Sequence, residues 1–182
     1  MRKSFLLIAS VATIVAAGCR SLSHEFESYT YRNLELEYPK SMEIVGENES
    51  PNESFVSFIL NDKADKKSRI EFGISEFPDN FLATVPKEEL LGELAAEVDE
   101  MIRKVSSAKD VSVLEQSEIQ WSEHPSPPEA FSFARVSEEG ETIYLAFSAK
   151  VVGRYCVCSV CRSGNPSILD LFNNILNTIN NP

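Results

Sequence analysis

The apolar positions of this chain change period along its length, and the changes mark out its elements. From Tyr29 to Tyr38, Leu34, Leu36 and Tyr38 alternate with Asn33, Glu35 and Glu37, the period-two signal of a half-buried strand that Pro39 ends. Met42 to Val45 resumes it briefly, and Gly46 to Ser54 reads as a polar loop. Phe55–Leu60 and Arg69–Ile74 are two β-rich runs, joined across the polar stretch Asn61–Ser68 as a hairpin with a charged loop. The period then lengthens. Leu90, Leu91, Leu94, Ala95, Val98, Met101, Ile102 and Val105 form one stripe of a helix over Val85–Val105. Thr84 is its expected N-cap, with Pro86 and Glu88 in its first turn, and its length of about 31 Å suits the face of a sheet.

Beyond that helix, Val111–Trp121 alternates as a strand and His124–Pro128 is a rigid turn. Ala130–Val136, Thr142–Ala149 and Arg154–Val160 follow closely as an antiparallel meander, with turns at Glu138–Glu141 and near Lys150–Gly153. Asn165 and Pro166 open a last helix that buries Ile168, Leu169, Phe172, Ile175, Leu176 and Ile179. Strands grouped in runs, with helices between the runs, predict an α+β fold in which helices flank an antiparallel sheet.

The first residues have another purpose. Arg2 and Lys3 precede an uncharged stretch from Phe5 to Ala17, and Ala16, Ala17 and Gly18 are the small residues of a secretory cleavage site. Thirteen residues of helix reach roughly 20 Å, short of a hydrocarbon core of about 30 Å, so a permanent transmembrane anchor is not expected. Val15-Ala-Ala-Gly-Cys19 resembles the bacterial lipobox, which implies diacylglycerol on Cys19 and cleavage before it. Two or three acyl chains, at about 0.8 kcal/mol per buried CH₂, anchor a protein stably. Arg20 follows the cysteine where an Asp would resemble an inner-membrane retention signal, so a Gram-negative host favours the outer membrane. The expected organisation is a signal peptide over 1–18, a lipidated tether over 19–28 and a single domain over 29–182.

Charge narrows the partners. The signal holds Arg2 and Lys3, so the mature chain has 17 − 2 = 15 Lys+Arg against 28 Asp+Glu. That balance repels nucleic acid and anionic lipid headgroups, so binding to either through a basic patch is not expected. Eleven Phe and 43% apolar residues are ample for a packed core.

The order of elements is similar to that of the PsbP-like superfamily of α/β/α sandwiches. This group includes a photosystem subunit, a Ran-binding import factor and DcrB-type bacterial lipoproteins. Three passages carry the resemblance: Tyr31-Arg-Asn-Leu-Glu-Leu-Glu-Tyr-Pro39, the long helix after the second hairpin, and the strand-to-helix passage from Tyr155 to Ile179. The family's opening continues to Gly-Trp, whereas Lys40, Ser41 and Met42 stand here. The resemblance implies an accessory or protein-binding module with no shared enzymatic chemistry.

Cys156, Cys158 and Cys161 are the most suggestive chemical group. On a continuous strand Cys156 and Cys158 share a face and Cys161 takes the other, which opposes ligation by all three thiols. Zinc would also need a fourth ligand, and His24 and His124 are distant in sequence. Small core residues, a structural disulfide, and a metal or redox site are the three readings, with core packing favoured by the burial habit of cysteine. Glu35 and Glu37 read as the wet side of a strand. Glu88, Glu89, Glu93, Glu97 and Glu100 read as the wet side of the long helix; Trp121 is a candidate binding aromatic, with packing in the core or at a sheet edge the favoured reading. No nucleophile–base order, phosphate loop or histidine-rich motif is present. The expectation is a non-enzymatic, cofactor-free accessory module of the cell envelope, held to a membrane through Cys19 and binding an envelope protein. The alternative is a small-ligand, metal or redox lipoprotein using the cysteine strand.

Overall fold

The computed structural model describes residues 25–50, 54–78, 80–122 and 128–180. Cys19, His24 and His124, and with them the signal and lipid-attachment assignments, lie outside the described residues. The elements in chain order are β1 (Phe26–Tyr31), β2 (Leu34–Pro39), β3 (Met42–Ser50), β4 (Phe55–Asp62), β5 (Arg69–Glu76), α1 (Phe81–Thr84) and α2 (Lys87–Ser106). They continue as β6 (Val111–Gln116), β7 (Gln120–Ser122), β8 (Glu129–Glu138), β9 (Glu141–Val152), β10 (Tyr155–Ser163) and α3 (Ile168–Thr178).

One eight-stranded sheet runs in the order β3-β4-β5-β10-β9-β8-β6, and the short β7 also pairs with β8. Every pairing in it is antiparallel. The hairpin β4–β5 and the meander β8–β9–β10 lie where alternation places them, and the last strand inserts beside β5 to join the two groups.

Helical layers cover the two faces unequally. Leu90, Leu94, Val98 and Ile102 recur every four residues along α2 and are buried against Ala130, Val136, Leu145, Phe147 and Ala149. On the other face, Ile168, Phe172, Ile175 and Leu176 of α3 share a second core with Phe58, Phe72, Ile74 and Val157. The hairpin β1–β2 completes that layer, with Tyr29 against Phe58 at 4.2 Å between ring centroids. The result is an α+β sandwich in which a hairpin stands beside one of the helices.

Several boundaries differ from those read off the sequence. The opening strand is a hairpin: Tyr31 pairs with Leu34, and Arg32 takes a positive φ of 53° in the turn. Its first strand begins at Phe26, within the segment expected to be tether. Met42–Val45 does not resume that hairpin but starts an edge strand of the main sheet, which passes a bulge at Gly46 (φ 65°) and runs to Ser50. Pro86, not Thr84, precedes α2, since Pro86 is extended while the Thr84 hydroxyl donates to the carbonyls of Asn80 and Phe81 at the end of α1. The strand expected over Val111–Trp121 is two short strands, β6 and β7. The turn expected near Lys150 falls at Gly153 and Arg154, because β9 continues to Val152.

Candidate functional site

Strand β10 carries the three described cysteines, all as free thiols. Cys156 pairs with Ser75 and Val151, Cys158 with Gly73 and Ala149, and Cys161 with Ile70 and Ala146. Alternation then sends Cys156 and Cys158 toward α2, with their Sγ atoms 3.9 Å apart, and Cys161 into the core beneath α3. A site built from all three is therefore not assembled, and Cys161 cannot reach either of the others through the sheet. The hydrogen bond with Cys158, then burial, then the charge of Glu97 push the Cys156 thiol far up in pKa. Burial pushes Cys161 up to about 12. Both are the opposite of an activated thiolate. Among the described residues no three His, Cys, Asp or Glu side chains stand close enough to hold a metal ion.

A second polar group sits deeper. Ser148, Lys150 and Ser159 are buried on the α3 side of the two central strands. The Lys150 ammonium donates to the Leu176 carbonyl at 2.9 Å, capping the last turn of α3, and Ser148 donates to Glu129 at 2.6 Å. Burial lowers the Lys150 pKa and the Glu129 carboxylate opposes that shift. The arrangement satisfies a helix end from inside the protein and holds α3 on the sheet. Ser148, Lys150 and Val152 continue the alternation of β9 past Ala149, the expected end of the strand, and so bring the lysine into the core.

The accessible chemistry lies at the rim of the sheet. Its two edges differ in their exposed apolar side chains. At one, β3 exposes Glu43, Glu47 and Glu49 and carries the bulge near Gly46, two devices that discourage a further strand from pairing. At the other, β6 and β7 lie end to end along the outer margin of β8, and β6 has its own register shift between Val113 and Glu115. There Val113, Leu114 and Trp121 are 43%, 52% and 55% exposed. Helix α2 packs over the strands beside this margin, yet these three side chains remain open to solvent. Trp121 is thus an exposed edge aromatic and not a core residue. Next to this margin, on the α3 side, Phe133, Tyr144 and Leu169 floor a shallow cleft of about 270 Å³, whose rim holds the Arg135–Glu115 ion pair at 3.3 Å. That volume is below the roughly 300 Å³ at which small-molecule pockets begin. Together these residues suit a protein surface better than a substrate pocket.

No family model matches the chain, and no curated protein matches it in sequence. Solved structures do match. The solution structure of cyanobacterial PsbP (CyanoP) from Synechocystis sp. PCC 6803 superposes with a TM-score of 0.58 and 9% identity, over 90% of this chain and 97% of that one. A crystal structure from Bacteroides thetaiotaomicron VPI-5482 gives a TM-score of 0.49 and 9% identity, over 86% of this chain and 48% of that one. At such identity the likeness speaks for the fold. With the antiparallel sheet, its two helical layers and near-complete mutual coverage, the chain has the PsbP-like fold.

Proposed function

We propose that this protein is a lipid-anchored, non-enzymatic accessory module of the cell envelope that holds a protein partner along the β6–β7 margin. The observation that carries the reading is the exposure of Val113, Leu114 and Trp121, three large apolar side chains spaced along one outer edge of the sheet. An open strand with apolar side chains accepts an extended segment of another chain, which adds backbone hydrogen bonds to the ladder and seats its own side chains beside them. Glu115 and Glu118 flank the apolar residues and are exposed, so the matching segment carries apolar and basic side chains. Tryptophan is also the residue type most enriched where interfaces concentrate their energy. The lipobox-like run ending at Cys19 supports the anchor.

A photo-crosslinking amino acid placed in turn at Leu114, Trp121 and Glu47 tests this in intact envelopes. The expected result is one shared adduct from Leu114 and Trp121 and none from Glu47, with Leu114→Arg abolishing capture at Trp121. Equal capture from all three positions, or none from any, refutes it.

A further inference from the structure

Cys156 and Cys158 form a thiol pair for which the partner-binding margin has no use. Both point from β10 toward α2, with their Sγ atoms 3.9 Å apart. Strand β10 lies inside the sheet, paired with β5 on one side and β9 on the other, so this stretch is held extended. Two residues of such a strand span about 6.7 Å, and Cβ atoms on one face stand nearly as far apart. A disulfide needs a Cβ separation of about 3.8 Å. The pair therefore cannot close on itself without pulling β10 out of both ladders, and it stays a dithiol. The cover over it is graded. Cys156 shares the core beneath α2 with Leu94 and Val98, whereas Cys158 is half-buried. On the next strand, Ser75 stands opposite Cys156 and Gly73 opposite Cys158, both half-exposed. The pair thus lies on the step where the cover of α2 gives way to the open half of the sheet. Gly73 presents no side chain beside Cys158, and the half-exposed ring of Phe55 leans over it, 3.4 Å from where a Cβ would stand.

We propose that Cys156 and Cys158 bind one cuprous ion between their sulfurs. An ion about 2.3 Å from each sulfur, the length of a metal–thiolate bond, subtends an angle of about 115° across their 3.9 Å separation, so the strand keeps its place. That angle suits three-coordinate copper, with the third position left to a small ligand from solution. Thiolates are soft donors and select cuprous copper. Zinc fits less well, because it takes four ligands and no third His, Cys, Asp or Glu stands close among the described residues. Binding releases both thiol protons to water and leaves a bis-thiolate complex with a single negative charge, and the copper keeps its oxidation state. The carboxylate of Glu97 acts on Cys156 and opposes that charge, but it is exposed and screened by solvent. Cys161 takes no part, since it lies on the other face of the sheet. Strands β8 and β9 separate the pair from the β6–β7 margin, so the site is independent of partner binding there.

The test uses residues 19–182 carrying Cys19→Ser, which contain every described element and leave Cys156, Cys158 and Cys161 as the thiols. Cuprous copper held by bicinchoninate is titrated with this protein without oxygen. One copper per chain is expected to leave the chelate, and the same from Cys161→Ala. Cys156→Ser and Cys158→Ser each reduce a two-handed grip to one sulfur, a loss of affinity of about a hundredfold or more. Circular dichroism confirms that each variant is folded; Cys158, half-buried, is the position that tolerates the change more easily. X-ray absorption of the copper-loaded, Cys156- and Cys158-intact protein reads the site without those variants, and two sulfurs per copper are expected. No transfer from the chelate, transfer that survives in either single-sulfur variant, loss of transfer in folded Cys161→Ala, or fewer than two sulfurs on the copper overturns the proposal.

Discussion

Cys161 offers a prediction in which the sign of a mutational effect reverses with pH. The residue is fully buried between Ile70 and Ala146, and burial alone moves its pKa from 9.0 to about 12. An acid whose folded-state pKa is raised contributes stability that is whole below its unfolded value. That contribution is lost as pH climbs toward the folded one, because the unfolded chain releases the proton first. The window is therefore pH 9.0 to about 12. At about pH 10.5 the loss amounts to about 2 kcal/mol, from 1.4 kcal/mol per unit over about 1.5 units. Cys161→Ala removes the thiol and with it this loss. At about pH 7 it removes only one buried heavy atom, which costs about 1 kcal/mol. The variant is thus the weaker protein at neutral pH and the stronger one in alkali, by about 1 kcal/mol each way, with the two curves crossing just below about pH 10. Other groups that raise alkaline sensitivity, including Cys156 and Tyr29, are common to both proteins and cancel. Urea midpoints under reducing conditions measure the difference directly. A deficit of equal size at both pH values would show that the thiol titrates as it does in water, and so is not enclosed beneath α3.

Lys150→Ala is expected to cost about 3 kcal/mol, since it leaves the Leu176 carbonyl and the Glu129 carboxylate without their cation. Lys150→Met keeps the aliphatic stem and should cost less; because burial lowers the lysine pKa below 10.5, the wild type should gain on it as pH rises toward that value. Thermal or urea unfolding of the two variants across pH reads both effects, and equal losses with no pH trend would contradict the capping role. For the anchor, the mature protein is expected to enter the detergent phase with a mass above that of residues 19–182 by an acylated glycerol. Cys19→Ser is expected to abolish both, and an unmodified Cys19 would refute the assignment.

The residues that were legible in the sequence are those whose environment is decided by their own strand or helix. Leu90, Leu94, Val98 and Ile102 face a core because every fourth residue does, and Cys161 parts from Cys156 and Cys158 because an odd step reverses the face of a strand. The opening hairpin was also encoded: Tyr29 and Tyr31 are in phase with each other, Leu34, Leu36 and Tyr38 are in phase with each other, and the three-residue step between the sets marks the turn at Arg32. Arg32-Asn33 is not a glycine-bearing turn, so composition gave no prompt. The exposed margin could not be read. Val113 and Trp121 alternate like buried residues, and only the position of α2 over the sheet leaves them in water. Which helix lies over which strand is a tertiary fact with no local signature.

That offset also explains where such a protein can vary and still fold. Helix α2 covers β6, β8, β9 and part of β10, while α3 and the β1–β2 hairpin cover the other face from β4 across to β9. The central pair β9 and β10 is enclosed from both sides, which is why eight consecutive residues from Leu145 to Val152 are buried. On that pair Ser148 and Lys150 are answered internally, while the buried Ser159 hydroxyl has no partner. Each outer strand has one face or one edge in water, where substitution costs little. A fold can then persist at 9% identity provided that the central pair and its two helices keep their apolar pattern. The outer strands are the least constrained, and five of the six residues of β6 are exposed. The placement of Leu114 and Trp121 there follows from the architecture: on β9 the same side chains would be core, and only at the rim can they meet another protein.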